Sequence, residues 1–120
     1  MLYFFHMGKP RFKPADVVVN PRHFGRYAYP TWNDDHGLSQ KERAWAIYQH
    51  RSALAVTKYL ERNEHSIGWL AQKLGEDTAW LTRKLHGQAP ADLGDIMSWA
   101  LELGIEVLPT FGFKHEIAPT

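Results

Sequence analysis

Two short runs of helical periodicity stand back to back in the stretch SIGWLAQKLGEDTAWLTRKLHG, residues 66–87. Leu70, Ala71 and Leu74 share one face of the first run, and Leu81 and Leu85 share one face of the second, the spacing of helices with one buried side. Ser66 is placed to accept a backbone N–H of the first turn, which predicts a helix over Ile67–Leu74. Gly75 follows as a residue free to take the left-handed conformation that ends a helix. Asp77 caps the second predicted helix, which runs from Thr78 to Leu85 or His86 and stops at Gly87. Ala71 is small, as required where a second helix crosses close at a steep angle. Together these features make a helix-turn-helix, whose second helix is able to lie in a DNA major groove.

The flanking pattern is helical too, and the fold class expected is all-α. Ser39 and Glu42 have the spacing of a capping box. The helix it opens is expected to reach about Arg62, with Asn63 as a left-handed stop. Ala44, Trp45, Ile47, Tyr48, Leu54, Ala55, Tyr59 and Leu60 give it a broad apolar surface. Its first half, Gln40 to Arg51, is expected to pack against the N-terminal segment or to pair with a second subunit, because large apolar groups on a protruding helix need cover. After Gly87, Pro90 and Asp92 open a further helix ending at Gly104, with Ile96, Ala100 and Leu103 inward and Met97 and Trp99 beside them. Residues 105–108 and 111–113 read as short extended pieces on either side of Pro109.

Residues 1–37 break the periodicity. Pro10, Pro14, Pro21 and Pro30 exclude a long helix there. Val17, Val18 and Val19 read as one short strand. Phe12, Phe24, Tyr27, Tyr29 and Trp32 are too many aromatics for a solvated linker, so an extended arm packed across the helical body is expected. The chain thus divides into an arm (1–37), a helical domain (38–108) and a tail (109–120).

Charge adds a direction to this picture. Residues 1–63 carry ten Lys and Arg against five Asp and Glu, whereas residues 88–120 carry one against five. A basic half beside an acidic tail suits a chain that meets a polyanion on one side. There are no cysteines, which excludes disulfides and the usual structural zinc sites. The opening MLYFFHM is too short for a signal sequence, no apolar run is long enough to span a membrane, and a cytoplasmic protein with no membrane partner is expected.

The runs LAQKLG (70–75), LTRKLHG (81–87) and ALELG (100–104) resemble the lambda-repressor-like, Cro-type helix-turn-helix domains, over roughly residues 53–108. The resemblance implies a bacterial or phage regulator, a repressor, that binds double-stranded DNA. Leu81 and Leu85 set the buried face of the second helix, so Ala79, Arg83 and His86 point the opposite way, with Thr78 and Thr82 on the flanks. Thr78, Ala79, Thr82 and Arg83 are the expected base-reading residues, Arg83 by a bidentate pair with guanine and Thr78 or Ala79 by a methyl contact to thymine. Ser66, Gln72, Lys73 and Lys84 are the expected phosphate contacts. Arg11, Lys13, Arg22 and Arg26 are candidate contacts from the arm, tracking a phosphate backbone or entering a minor groove.

Three residues depart from the family pattern. Glu76 stands where an apolar residue is usual, Glu76 with Asp77 puts negative charge at the tip that faces the groove, and Trp80 replaces a small polar residue. Two other readings stand beside this one: an antitoxin-type protein whose domain binds DNA while its arm or tail occupies a toxin, and an interaction module without DNA binding, which the acidic Glu76 and Asp77 motivate. One short recognition helix reads few base pairs, so the expectation is either two copies on a two-fold or direct-repeat site, as a homodimer would supply, or one molecule whose extended first helix and arm contact a longer asymmetric site. None of the seven histidines has metal-ligand spacing, Asp34-Asp35-His36 reads as a turn, and no nucleophile or phosphate-loop motif occurs. No catalysis, metal or cofactor is expected.

Overall fold

The computed structural model of the protein describes residues 12–35 and 37–106. Four α-helices follow one another: α1 (Gln40–Arg62), α2 (Ile67–Leu74), α3 (Thr78–Leu85) and α4 (Leu93–Leu103). Ahead of them stand two 3-10 turns, Pro14–Val17 and Pro21–His23, and the described residues contain no strand. Arg11 and His36, as well as residues 107–108 and 111–113 of the expected extended pieces, lie outside the described residues.

The caps explain the helix starts. The Ser39 hydroxyl accepts the Glu42 N–H at 3.1 Å while the Glu42 carboxylate accepts the Ser39 N–H at 3.0 Å, the reciprocal box that opens α1. Asp92 and Asp95 make the same box at α4, with 2.8 Å and 2.9 Å bonds. Ser66 and Asp77 each accept one backbone N–H at the starts of α2 and α3. Gly75 ends α2 at φ 68°, a conformation costly for a residue with a Cβ.

The C-terminus of α1 differs from the expected stop. The Asn63 side chain donates to the Tyr59 carbonyl at 2.9 Å and its φ stays at −100°, so the left-handed step falls on Glu64 at φ 57°. The buried face of α1 also differs from the expected one. Ala46, Gln49, Ala53, Val56 and Leu60 run along it, with His50 and Ser52 alongside, while Ala44 is exposed. In α4 the inward stripe is Ile96, Trp99 and Leu103, and Ala100 is only half-buried.

Residues 12–35 lie across the helical body as expected of the arm, but they do so through two 3-10 turns rather than as a wholly extended chain. Pro14 locks the first turn, which carries Ala15 and Val17 into the core. The valines form no strand: Val18 makes one isolated antiparallel bridge with Trp32, flanked by Val19 N–H to Thr31 O (2.9 Å) and Asn33 N–H to Val17 O (2.8 Å). Phe24 is fully buried, a gain of roughly 1.5–3 kcal/mol for a side chain of that size. The segment packs on α1, reaching His50 through the Gly25 N–H and the Trp32 ring. It also reaches the end of α3, where Ala15 N–H donates to Gly87 O at 2.9 Å. A Cβ on Gly87 would stand 2.6 Å from the Phe24 ring, and its φ is 74°. Glycine is required there on both counts.

Among the described residues, no helix is long and apolar enough to cross a membrane.

Candidate nucleic-acid interface

α3 presents a polar edge to solvent. Thr78, Ala79 and Arg83 are exposed, with Leu81 and Leu85 fully inward, so the outward face is the one the periodicity predicts. The Arg83 guanidinium lies 5.4 Å from the centre of the Trp80 ring, itself 40% exposed. A flat cation held over an indole face loses less freedom when it later binds. Trp80 therefore positions Arg83, and the Lys84 ammonium also lies 5.4 Å from the centre of the same ring. Thr82 is half-buried, and its hydroxyl donates to the Thr78 carbonyl at 2.8 Å. Its proton is committed within the helix, leaving an oxygen that can only accept.

On α2, Gln72 and Lys73 are exposed, and the Lys73 ammonium sits 5.6 Å from the Trp69 ring centre. The opposite neighbour of that indole is His65, stacked at 3.7 Å with planes 3° apart. Ser66 is exposed, but its oxygen is occupied by the Trp69 N–H at 3.0 Å. Lys73 is the free cation of this group.

Lys84 is the main correction. Expected at a phosphate, it is instead buried, with Nζ 2.8 Å from Glu76 Oε2 and 2.9 Å from Asp95 Oδ1. Burial alone would lower its pKa. The hydrogen bonds to Glu76 and Asp95, reinforced by their charges, outweigh that and hold it above the usual lysine value. At about 100° per residue, Lys84 falls within 60° of Leu81, so the helical face, unlike the charge, points it inward. The ion pair also changes Glu76. Its carboxylate, expected to repel DNA at the turn, is drawn under α3 and neutralised. Asp77 remains at the tip, accepting the Trp80 N–H at 3.0 Å.

An expected outcome follows for Lys84→Met. The two carboxylates lose their shared cation but keep partial solvent access, at 22% and 25% exposed. Stability should fall by about 2 kcal/mol, below the 3–5 kcal/mol of a fully buried broken pair. Denaturant unfolding at pH 7 measures this, and a midpoint unchanged from the native protein would contradict the arrangement.

From the N-terminal segment, Lys13, Arg22 and Arg26 are all exposed. Arg26 Nη2 contacts the His86 ring at 2.9 Å from Nε2 and 3.3 Å from Nδ1. Arg22 joins them around a cleft of about 100 Å³ beside Gln88. Burial, and then the charge of Arg26, lower the His86 pKa. Lys13 lies apart from this cleft, ahead of the first turn.

Behind the interface, buried polar groups of α1 hold α3 and the following loop. Gln49 Nε2 donates to Lys84 O at 2.9 Å and Ala89 O at 3.1 Å, and its Oε1 accepts the Ala91 N–H at 2.9 Å. Trp45 Nε1 donates to Ala91 O at 2.7 Å. His50 Nδ1 accepts the Gly25 N–H at 2.8 Å, tying the N-terminal segment to the same helix. Neither Gln49 nor His50 is among the residues that the apolar periodicity of α1 singles out. Their signal was a pair of polar residues inside the stripe of Ala46, Ala53 and Val56. Among the described residues no group of three or more His, Asp or Glu is placed to hold a metal ion.

Compared with known proteins, the chain matches no family model, no curated protein sequence and no solved structure.

Proposed function

We propose that this chain is a sequence-specific double-stranded DNA-binding transcriptional regulator of the bacterial or phage repressor type, its α2 and α3 forming a lambda-repressor-like helix-turn-helix. The observation that carries this reading is the outer face of α3. Thr78, Ala79 and an Arg83 held on Trp80 are exposed together, Glu76 is paired with Lys84, and Asp77 at the tip accepts the Trp80 N–H that it caps. Lys73 on α2 supplies a cation beside this face, with α2's N-terminal turn offering backbone N–H groups to phosphate. Two copies on a two-fold or direct-repeat site would give the length that one helix lacks.

Selection of bound DNA from a random pool, followed by binding at several salt concentrations, tests the reading. Affinity should fall steeply with salt. Arg83→Ala should cost about 1–3 kcal/mol at one base pair and relax the preference there, whereas Lys73→Ala should weaken all sequences alike. Absence of salt-dependent binding to any DNA overturns the proposal.

One feature favours a protein partner in addition. Leu93, Met97 and Leu101, spaced four apart on α4, are 49%, 46% and 80% exposed. An antitoxin-type regulator would cover such a stripe with its toxin, and copurification of a small toxic protein would support that version over the plain repressor.

A further inference from the structure

Ala79, Arg83 and His86 stand at i, i+4 and i+7, so the imidazole closes the far end of the same face of α3 that exposes Arg83. His86 is about 10 Å along the axis from Ala79 at 1.5 Å per residue. That span is close to the width of a major groove, about 12 Å. A helix whose first turn meets base edges therefore brings its last residue to the phosphates on the groove's rim. At that end the N-terminal segment delivers Arg26 against the imidazole, at 2.9 Å, and Arg22 beside it. The cleft between them is about 100 Å³, and no carboxylate lines it among the described residues. Its walls are otherwise neutral, including Phe24 and Gln88.

We infer that Arg22, Arg26 and His86 form a binding site for one backbone phosphate of DNA, built jointly by the N-terminal segment and the end of α3. The inference rests on the DNA-binding reading and names a contact that the helix-turn-helix alone does not contain. In the free protein neutral His86 accepts from the Arg26 guanidinium, so neither group turns fully outward. A phosphate entering the cleft takes the guanidinium's N–H groups as an acceptor and favours a proton on the imidazole. His86 then becomes a second donor. The charged groups facing it are Arg26 and Arg22, both cationic, and both oppose that proton until the anion arrives.

Two measurements on the full chain test the site. In the first, the imidazole signals of His86 are followed by NMR across pH, in inorganic phosphate and in chloride of equal ionic strength. The midpoint should be higher in phosphate, and the difference should vanish in Arg26→Ala. Equal midpoints overturn the inference. In the second, DNA affinity is measured against salt for the native protein, Arg26→Ala and Arg22→Ala. Each variant should lower the slope of log K against log salt by up to about 0.9, the value of one phosphate contact, with the preferred base sequence unchanged. Full slopes in both variants overturn the site while leaving the DNA reading intact. A midpoint shift in phosphate with no DNA binding would also overturn it, assigning the cleft to a free phosphate compound and removing the DNA reading as well. Thermal unfolding of each variant within a few degrees of the native protein shows that the fold is kept.

Discussion

Gln49→Ala is expected to be among the most destabilising single changes in this protein, at about 4 kcal/mol. The side chain is fully buried and satisfies three backbone groups: the carbonyls of Lys84 and Ala89 and the N–H of Ala91. Removing it leaves the Ala89 carbonyl and the Ala91 N–H without the partner it supplied, at roughly 1–3 kcal/mol for each buried polar group left unsatisfied, while the Lys84 carbonyl keeps the Gly87 N–H at 3.1 Å. The cavity left by the lost amide adds to the cost. Some relief comes from water entering the space, which keeps the total well under the sum. Gln49→Glu is the informative companion. It keeps the volume and one acceptor but removes both donors, and places a charge where the side chain has no solvent contact. Both variants should show lowered unfolding midpoints in urea. Midpoints within 1 kcal/mol of the native protein would mean that the loop after α3 is held by something else.

Acid should unfold the protein earlier than its carboxylates alone would dictate, because of His50. Its pKa is lowered to about 4, first by burial, then by the charge of Arg51, against a weaker opposing pull from the Tyr27 backbone. The ring is 1% exposed, Nδ1 accepts the Gly25 N–H, and Nε2 has no hydrogen-bond partner among the described residues. Below pH 6.5 the unfolded chain takes up a proton that the folded one refuses. The stabilising effect of a neutral His50 is therefore complete above about pH 6.5 and is lost progressively as the pH falls to about 4. The loss amounts to about 3 kcal/mol at 1.36 kcal/mol per pKa unit. His86, also lowered, acts in the same direction. His50→Asn isolates the larger contribution, since its side-chain oxygen supplies an acceptor without a titrating proton. Urea unfolding at pH 7.5 and 4.5 should show the native protein losing about 2–3 kcal/mol more than the variant across that interval. Equal losses would mean that the imidazole does not titrate on unfolding.

How far the sequence discloses this structure depends on the range of the interaction concerned. The starts of α1, α2 and α3 were legible because Ser39, Ser66 and Asp77 act on N–H groups within three residues. The ends at Gly75 and Gly104 were legible for the same reason. The outward placement of Thr78, Ala79 and Arg83 followed from periodicity once Leu81 and Leu85 were taken as core. Lys84 was misplaced because its partners, Glu76 and Asp95, lie eight and eleven residues away on other elements. No local rule pairs them. The valines near residue 18 have high strand propensity, but a strand needs a second one, and only Trp32 comes alongside. Pro14 had already set the turn. The packing of the N-terminal segment against the end of α3 was hardest to read. It depends on contacts such as Arg26 with His86, 60 residues apart.

That separation bears on how the protein is made. Arg26 leaves the ribosome 60 residues before His86, an interval of about 3–12 s at 5–20 residues per second. Throughout it the last wall of the pocket around Phe24, the Gly87 backbone, does not yet exist. The growing α1 offers His50 and a partial groove sooner, and the first turns wait against it with Val17, Val18 and Phe24 not yet enclosed. The nascent chain therefore carries unenclosed apolar turns until α3 and Gly87 are complete, and holdase chaperones have their opportunity in those seconds.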